Sequence, residues 1–219
     1  MAKIDVGRSV YGRNDAVAEA NRRLLREAGL RAVNLLSSPG SGKTSLLERT
    51  AVHLGAKRRL LVIDGDVETE RDAERLRRLG IDALQIQTHG ACHLDAKRIA
   101  AELAKVAIAD YDLLLIENIG NLVCPSNFDL GESARVVVAS TTEGDDKPIK
   151  YPEAYHSADA CVLNKVDLLP YVEFDVEAFE AAARRTNDRL TFFRTSCTTD
   201  EGLEAWCAWL LEFSERGRG

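Results

Sequence analysis

The chain has 219 residues, of which 45% are hydrophobic and 29% are charged. This length and composition suit one large α/β domain. The formal net charge of -6 argues against a nucleic-acid surface, because DNA or RNA phosphates would require a basic stripe. No apolar run approaches the roughly 20 residues that span a bilayer, and residues 1–13 are polar rather than signal-like. We therefore expect a cytoplasmic protein without membrane contact.

Apolar residues recur at helical spacing in some segments and as continuous runs in others. In chain order the pattern predicts helix 14–28, strand 32–36, helix 43–54, strand 60–63, helix 68–79, strand 83–87, helix 94–108, strands 113–116, 136–139 and 160–163, helix 175–187, strand 191–193 and helix 201–213. Gly29 and Gly80 are predicted to close the helices that precede them. Buried strands that alternate with helices indicate a mostly parallel sheet covered by helices on both faces, with ligands at the carboxyl ends of the strands.

A phosphate-binding loop is predicted between the first strand and the second helix. Residues 37–44 read Ser-Ser-Pro-Gly-Ser-Gly-Lys-Thr, which matches the P-loop pattern except that Ser37 replaces a glycine. Backbone N–H groups at the helix N-terminus would surround the β-phosphate, Lys43 would reach the β- and γ-oxygens, and Thr44 would bind Mg²⁺. The alternative is a glycine-rich turn without a ligand. The predicted phosphate-binding residues are Gly40, Ser41, Gly42, Lys43, Thr44 and Ser45.

Carboxylates at the ends of two strands predict the magnesium and switch residues. Asp64 and Asp66 end the second strand, and we favour Asp66 as the magnesium contact because it lies beyond the strand; a capping or turn aspartate is the alternative. Residues 117–120 read Glu-Asn-Ile-Gly where common GTPases carry Asp-x-x-Gly. Glu117 is predicted to act on Mg²⁺ or its water, and Gly120 to sense the γ-phosphate. The predicted catalytic residues are Lys43, Asp66 and Glu117. Because Asn121 stands after Gly120 in place of a water-positioning glutamine, slow intrinsic hydrolysis is expected.

A base-recognition motif follows the strand 160–163. Residues 164–167 read Asn-Lys-Val-Asp, in which Asp167 can accept two hydrogen bonds from guanine, Asn164 braces the loops and Lys165 packs along the purine ring. Adenine cannot make this pair of bonds, so GTP and GDP are the predicted ligands. Ser196 and Cys197 follow the last strand and could offer backbone N–H groups to guanine O6. A surface turn of the same sequence is the alternative.

Two thiols and an imidazole form a candidate metal site. Five cysteines in a reducing compartment point to metal binding, catalysis or core packing rather than to disulfides. Cys92 and His93 follow the third strand and Cys124 follows the switch segment, and we expect both segments to leave neighbouring parallel strands at one edge. Such ligands suit Ni²⁺ or Zn²⁺. Three ligands leave the site one short, so two copies of the chain would complete a shared site.

Other interpretations of the cysteines and histidines remain possible at this point. His89 is a possible further ligand or a plain loop histidine. Cys92 and Cys124 could equally be small buried residues, with His93 a surface group. Cys161 and Cys207 lie in apolar segments and are predicted to be core residues.

Five strings carry a family resemblance: Pro-Gly-Ser-Gly-Lys-Thr at 39–44, Gly-Ala-Cys-His-Leu at 90–94, Glu-Asn-Ile-Gly-Asn-Leu-Val-Cys-Pro at 117–125, Glu-Gly-Asp-Asp-Lys-Pro at 143–148 and Asn-Lys-Val-Asp at 164–167. In this order they resemble the HypB family of hydrogenase maturation GTPases over nearly the whole chain. The string at 117–125 is the most specific, because related metal-delivery GTPases share the phosphate loop but not that string.

The resemblance implies a dimerising P-loop GTPase of the SIMIBI class. Residues 1–30 would be an N-terminal helical extension and residues 31–219 the GTPase domain. The family binds nickel or zinc at the positions of Cys92, His93 and Cys124, and Lys147 would reach the nucleotide across the dimer. GTP and metal would promote the homodimer, which would deliver nickel to a [NiFe] hydrogenase large-subunit precursor with a HypA-like zinc protein.

Three other functions remain as alternatives at this point. One is a nucleotide-binding scaffold with little turnover, another a nickel-delivery GTPase of the urease-accessory type, and the third a small-molecule kinase built on the same loop. The first 50 residues contain neither Cys nor His, so the nickel-binding N-terminus of some family members is not expected here.

Overall fold

Seven parallel strands form one sheet in the computed structural model, which describes residues 6–65, 71–88 and 90–216. The strand order is β3-β2-β4-β1-β5-β6-β7, and each neighbouring pair is parallel. The strands are β1 Arg31–Ser37, β2 Leu60–Asp64, β3 Asp82–Gln85, β4 Leu113–Gly120, β5 Ala134–Ser140, β6 Ala160–Asn164 and β7 Thr191–Arg194. The predicted α/β class with a parallel sheet is confirmed.

The α-helices precede, connect and follow the strands, except that β4 and β5 are joined by a segment with one 3₁₀ helix, Pro125–Asn127. The α-helices are α1 Val6–Glu27, α2 Lys43–Leu54, α3 Arg71–Arg78, α4 Ala96–Leu103, α5 Lys147–Lys150, α6 Pro152–His156, α7 Val176–Thr186 and α8 Leu203–Glu215. Gly29 and Gly80 follow α1 and α3 with φ of 67° and 77°, which confirms the two predicted closures. None of the helices in the described part of the chain combines the length and apolar character needed to span a membrane.

The two faces of the sheet are covered by different helices. On one face α2, α3 and α8 pack against alternate residues of the strands, with Trp206 fully buried among them. On the other face α1 and α4 cover one half of the sheet, and α6 and α7 cover the other half. Every strand residue from Leu60 to Asp64 is buried, as expected for a parallel sheet packed on both sides.

Several predicted boundaries are wrong. Strand β4 does not end at Ile116 but continues to Gly120, because its last residue still pairs with Ser37 across an irregularity in the β1 ladder. The predicted helix 94–108 is shorter, since Asp95 caps α4 by accepting a hydrogen bond from the Arg98 N–H. The predicted strand 83–87 ends at Gln85. The beginning of the predicted helix 68–79 lies outside the described residues.

The expectation that the two candidate metal-binding segments leave neighbouring strands is also wrong. Strand β2 lies between β3 and β4, and it pairs with both. The segment with Cys92 and His93 therefore follows a strand that has no ladder contact with the strand that precedes Cys124. Both segments do leave the carboxyl edge of the sheet.

Candidate functional site

A cavity of about 520 Å³ lies at the carboxyl edge of the sheet, above the central strand β1. The phosphate loop forms its floor, and the end of β4 and the loop after β6 form its walls. Its lining includes all six predicted phosphate-binding residues: Gly40, Ser41, Gly42, Lys43, Thr44 and Ser45. Arg75, Glu117, Asn118, Gly120 and Lys165 also line it. The backbone N–H groups at the start of α2 face a volume suited to a nucleoside phosphate.

The unusual first residue of the phosphate loop has a structural role. Lys43 is buried, and its Nζ donates a hydrogen bond to the Ser37 Oγ at 2.6 Å. The Ser37 hydroxyl in turn donates to the Ser38 carbonyl oxygen at 2.7 Å. A glycine at position 37 would leave the lysine without this acceptor. Ser37 thus satisfies the buried ammonium group in the structure, a role that sequence comparison with the P-loop pattern did not predict.

Oxygen atoms suited to Mg²⁺ converge at the β2–β4 side of the cavity. The Thr44 Oγ1 donates to the Glu117 Oε1 at 2.9 Å, and Glu117 is buried at 3% exposure. Asp64 is fully buried at the end of β2, directly beside Glu117 in the ladder register. Oxygen ligands of this kind suit a hard divalent cation. Asp66 lies outside the described residues, so its predicted magnesium contact stays a prediction.

The loop after β6 is tied to the phosphate loop. Asn164 is buried, and its Nδ2 donates to the Ser41 carbonyl oxygen at 3.0 Å. Lys165 has a left-handed backbone with φ of 62°, and its Nζ donates to the Gly40 carbonyl oxygen at 2.7 Å. Gly42 leaves room for this arrangement, since a Cβ atom there would lie 2.6 Å from the Asn164 Nδ2. The two loops therefore form one structural unit.

Residues predicted to recognise the base lie on either side of Asn164. Asp167 is half-buried in a short 3₁₀ helix, Val166–Tyr171, that follows β6. The Cys197 Sγ donates to the Asn164 Oδ1 at 3.4 Å, and burial raises the pKa of this thiol to about 11. The Ser196 Oγ accepts hydrogen bonds from the N–H groups of residues 198 and 199. Of the predicted base-binding residues, only Lys165 lines the cavity itself, and Cys197 is tied to the neighbouring Asn164. The contact of these residues with guanine stays a prediction.

Lys147 and Glu143 form a charged pair above the phosphate loop. The Lys147 Nζ donates to the Ser38 Oγ at 3.3 Å and lies 3.9 Å from the Glu143 Oε2. Burial raises the pKa of Glu143, although Ser38 and nearby lysines oppose the shift. In a single chain Lys147 thus points toward its own phosphate loop. Sequence reasoning named Lys147 but missed Glu143, whose proximity to the loop depends on the fold.

The two thiols and the imidazole of the candidate metal site are close together. The ligand atoms of Cys92, His93 and Cys124 all lie within 4.8 Å of one another, and the Cys92 Sγ is 3.5 Å from the His93 Nδ1. Cys92 is exposed and Cys124 is half-buried, so they are not the small core residues of the alternative interpretation. Cys161 and Cys207 are buried, which confirms their predicted place in the core. His89 lies outside the described residues.

The protonation chemistry of this group suits a soft or borderline cation. Burial lowers the pKa of His93, which favours the neutral imidazole that can bind a metal. The His93 ring stacks on Phe128 with a centroid distance of 3.7 Å, which fixes its orientation. A hydrogen bond with Cys124 is the main cause that raises the pKa of Cys92. Metal binding would therefore displace a thiol proton.

Asn121 connects the nucleotide cavity with the cysteine pair, and sequence reasoning missed it. Its backbone forms an antiparallel bridge with Ser37, the residue that accepts from Lys43. Its side-chain Nδ2 donates to the Cys92 carbonyl oxygen at 3.2 Å, and its Oδ1 accepts from the Val123 N–H. The sequence showed only that position 121 is not the water-positioning glutamine of other GTPases. Its bonding partners could be found only in the folded chain.

A parallel sheet whose central strand runs into a glycine-rich loop and a helix defines a P-loop nucleotide-binding protein. Residues 31–194 match the family described as "CobW/HypB/UreG, nucleotide-binding domain". Hydrogenase maturation factor HypB of Azotobacter vinelandii is 49% identical over 214 residues, which cover 98% of this chain and 69% of the relative. The chain therefore belongs to the HypB family of hydrogenase maturation factors, and the predicted resemblance is confirmed.

Two solved structures share the fold over most of this chain. HypB from Archaeoglobus fulgidus is 46% identical with a TM-score of 0.88, and the match covers 93% of this chain and 99% of that one. HypB from Helicobacter pylori in complex with nickel is 38% identical with a TM-score of 0.87, and the match covers 93% of this chain and 96% of that one. At these identities the likeness extends beyond the general P-loop fold.

Proposed function

We propose that the chain is a GTP-hydrolysing metallochaperone that carries Ni²⁺ or Zn²⁺ and assists GTP-dependent nickel insertion into a [NiFe] hydrogenase. One observation carries the proposal. The strand that lines the nucleotide cavity ends at Gly120, and four residues later the same chain segment places Cys124 within 4.8 Å of the other two ligand atoms. The state of the nucleotide and the binding or release of the cargo metal would thus be linked through a few residues.

The nucleotide half of the proposal assigns roles to the cavity residues. Lys43 would leave Ser37 to bind the β- and γ-phosphate oxygens, and Thr44 with Glu117 would hold Mg²⁺ or its water. Mg²⁺ would neutralise the phosphate charge during hydrolysis. Asp167 would accept from guanine, and the neighbouring loop with Ser196 and Cys197 would complete the base pocket. The hydrogen bonds that tie Asn164 and Lys165, in the loop after β6, to the phosphate loop support these roles.

The coupling half of the proposal uses Asn121. If a phosphate drew Lys43 away from Ser37, the backbone bridge between Ser37 and Asn121 would be one of the contacts to respond. The same asparagine holds the Cys92 carbonyl oxygen. A change at the γ-phosphate would therefore pass from Ser37 to Asn121. Asn121 contacts Cys92 and lies three residues before Cys124, so both cysteine segments would be affected. This path supports a GTP-driven rearrangement of the metal site.

A second copy of the chain would complete the metal site. Three ligands are one short of four-coordinate nickel or zinc. Cys92 is exposed, and Val123, the residue before Cys124, is 56% exposed. We propose that GTP and metal promote a homodimer through this edge, in which Lys147 contacts the nucleotide of the other protomer. The further partners are a HypA-like zinc protein and the hydrogenase large-subunit precursor.

The test compares Cys124→Ala with Cys207→Ala, which makes the same chemical change at a buried position of α8 that does not line the cavity. Ni²⁺ titration is followed by the absorption of thiolate–metal charge transfer, and GTP turnover is measured with and without Ni²⁺. We expect Cys124→Ala to lose Ni²⁺ binding and the nickel effect on turnover, and to keep GDP affinity. Wild-type nickel binding by Cys124→Ala would remove the metal site from the proposal.

A Lys43→Ala variant distinguishes the GTP-driven metallochaperone from a nucleotide-binding scaffold with little turnover. We expect it to lose GTP hydrolysis and to fail to support nickel insertion in cells that lack the native protein. Full hydrogenase maturation by this variant would contradict a GTP-driven mechanism and would favour a scaffold that docks other maturation proteins.

A further inference from the structure

Helix α1 lies across two chain segments that carry the proposed metal ligands. We define the first stem as residues 94–96, which follow His93, and the second stem as residues 126–130, which follow Cys124. The two stems belong to connections after β3 and β4, and β2 separates these strands. No hydrogen-bond ladder between their own strands can therefore set the distance between the stems. Contacts outside the strand ladders therefore have to set this distance.

Two asparagines of α1 each bind both stems. The Asn21 Nδ2 donates to the Ala96 carbonyl oxygen at 2.8 Å and to the Leu130 carbonyl oxygen at 3.0 Å. The Asn14 Oδ1 accepts from the Ala96 N–H at 3.0 Å, and its Nδ2 donates to the Asp129 carbonyl oxygen at 2.8 Å. Asn14 and Asn21 are seven residues apart, about two helical turns, so they share one face of α1. That face forms a bridge from one stem to the other.

The close approach of α1 is built into the second stem. Gly131, directly after this stem, has φ of 88°, and a Cβ atom there would lie 2.5 Å from the Ala18 carbonyl oxygen of α1. The Arg22 side chain of α1 also pairs with Asp129 at 2.5 Å. The backbone of α1 therefore packs directly against the backbone at Gly131, without side chains between them.

A network of hydrogen-bonded polar side chains also links the two stems. The Asn118 Oδ1 accepts from the Leu94 N–H at 3.3 Å, and its Nδ2 donates to Asn34, which donates to the Glu132 Oε1. Glu132 accepts from Arg135 at 2.5 Å, and Arg135 donates to the carbonyl oxygens of Ser126 and Phe128. This chain of buried and half-buried groups starts at the first stem and ends at the second.

We propose that Asn14 and Asn21 are positioning residues of the metal site, and that α1 is its support rather than a separate extension. Burial of an amide side chain is unfavourable unless its hydrogen bonds are made, and Asn21, at 3% exposure, makes its two bonds to the two stems. By fixing the stems, α1 holds the Cys92–His93 segment and Cys124 at a distance that one ion can bridge. This inference rests on the proposed metal site.

The experiment uses Asn21→Leu, which removes both hydrogen bonds at similar size. Its matched control is Asn187→Leu, because the Asn187 Nδ2 donates to the carbonyl oxygens of Tyr155 and Ala158, on the other half of the sheet. Both full-length variants are titrated with Ni²⁺ by thiolate–metal absorption, and folding is checked by circular dichroism and GDP binding. We expect Asn21→Leu to bind Ni²⁺ about 10-fold to 100-fold more weakly, with an altered spectrum and unchanged GDP affinity. Asn187→Leu should bind Ni²⁺ as the wild type does.

Two further results distinguish this inference from the metal site itself. If Asn21→Leu binds Ni²⁺ with wild-type affinity and spectrum while Cys124→Ala does not bind it, the support role is overturned and the metal site stands. If Cys124→Ala also binds as the wild type does, both are overturned. Should Asn21→Leu not fold, Asn14→Ala, at a half-buried position, is tested instead. Weaker Ni²⁺ binding at unchanged GDP affinity would agree with the proposed role of α1, and unchanged Ni²⁺ binding would overturn it.

Discussion

Two glycines of the phosphate loop share a left-handed backbone but have different surroundings. Gly40 has φ of 80°, and a Cβ atom there would meet nothing within 4 Å. Gly42 has φ of 91°, and a Cβ atom there would lie 2.6 Å from the Asn164 Nδ2. We predict that Gly42→Ala destabilises the protein more than Gly40→Ala does, and that the difference comes from displacement of Asn164.

The magnitude follows from the two contributions. An alanine in the left-handed region costs about 1–2 kcal/mol, and this cost applies to both substitutions. At position 42 the Asn164 amide must also move, which breaks its 3.0 Å hydrogen bond to the Ser41 carbonyl oxygen. A net loss of about 1 kcal/mol is typical for one such bond. Gly42→Ala should therefore cost about 1 kcal/mol more than Gly40→Ala.

Urea denaturation of the nucleotide-free protein, followed by the fluorescence of Trp206 and Trp209, gives the free energy of unfolding for each variant. The same two substitutions are then made in an Asn164→Ala background, which removes the obstructing amide. There we expect the difference between Gly40→Ala and Gly42→Ala to disappear. Equal costs in the presence of Asn164, or a difference that survives its removal, would refute the reasoning.

Three other predictions concern single side chains. Asp167→Asn should weaken GTP and GDP binding by about 1–3 kcal/mol, the scale of bidentate guanine contacts, without affecting ATP in calorimetric titrations; an equal loss for ATP would contradict it. Thr50→Val removes the acceptor of the buried Trp206 Nε1, at 2.9 Å, and should cost about 1–3 kcal/mol of stability in urea at unchanged GDP affinity. Burial raises the pKa of Glu143, so its effect on stability turns unfavourable as pH rises above the ordinary value of 4.5. Glu143→Gln should therefore gain stability over the wild type between pH 4.5 and neutral in urea denaturation, and a constant difference would argue against this assignment.

Local signals allowed much of the fold to be predicted. The apolar runs located all seven strands, and the glycines after α1 and α3 marked the helix ends because their positive φ is a local requirement. The phosphate loop was recognisable because its glycines and lysine act through their own backbone and side chain. The short helices α5 and α6 were missed, since four or five residues are too few for a periodic pattern. Their only signal is a proline near each N-terminus.

Contacts between distant segments could not be predicted. Nothing in the sequence indicates that Ser37 accepts from Lys43, that Asn121 binds the Cys92 carbonyl oxygen, or that Glu143 lies over the phosphate loop. The strand order was equally inaccessible, because buried strands of similar apolar composition can pair in several orders. The convergence of the thiols and imidazole was predicted for a partly wrong reason, since the strands concerned are not neighbours.

The geometry at the end of β2 explains why the convergence survives this error. Strand β2 separates the two segments, so the one that carries His93 has to cross the end of β2 to approach Cys124. Gly65, directly after β2, gives its N–H to the Glu117 carbonyl oxygen, and a Cβ atom there would lie 2.7 Å from the Leu94 side chain. Any larger residue at 65 would push Leu94 and the adjoining His93 outward. Gly65 thus leaves room for the segment with His93 to cross the end of β2. The contacts of α1 with the two stems then hold this segment near Cys124.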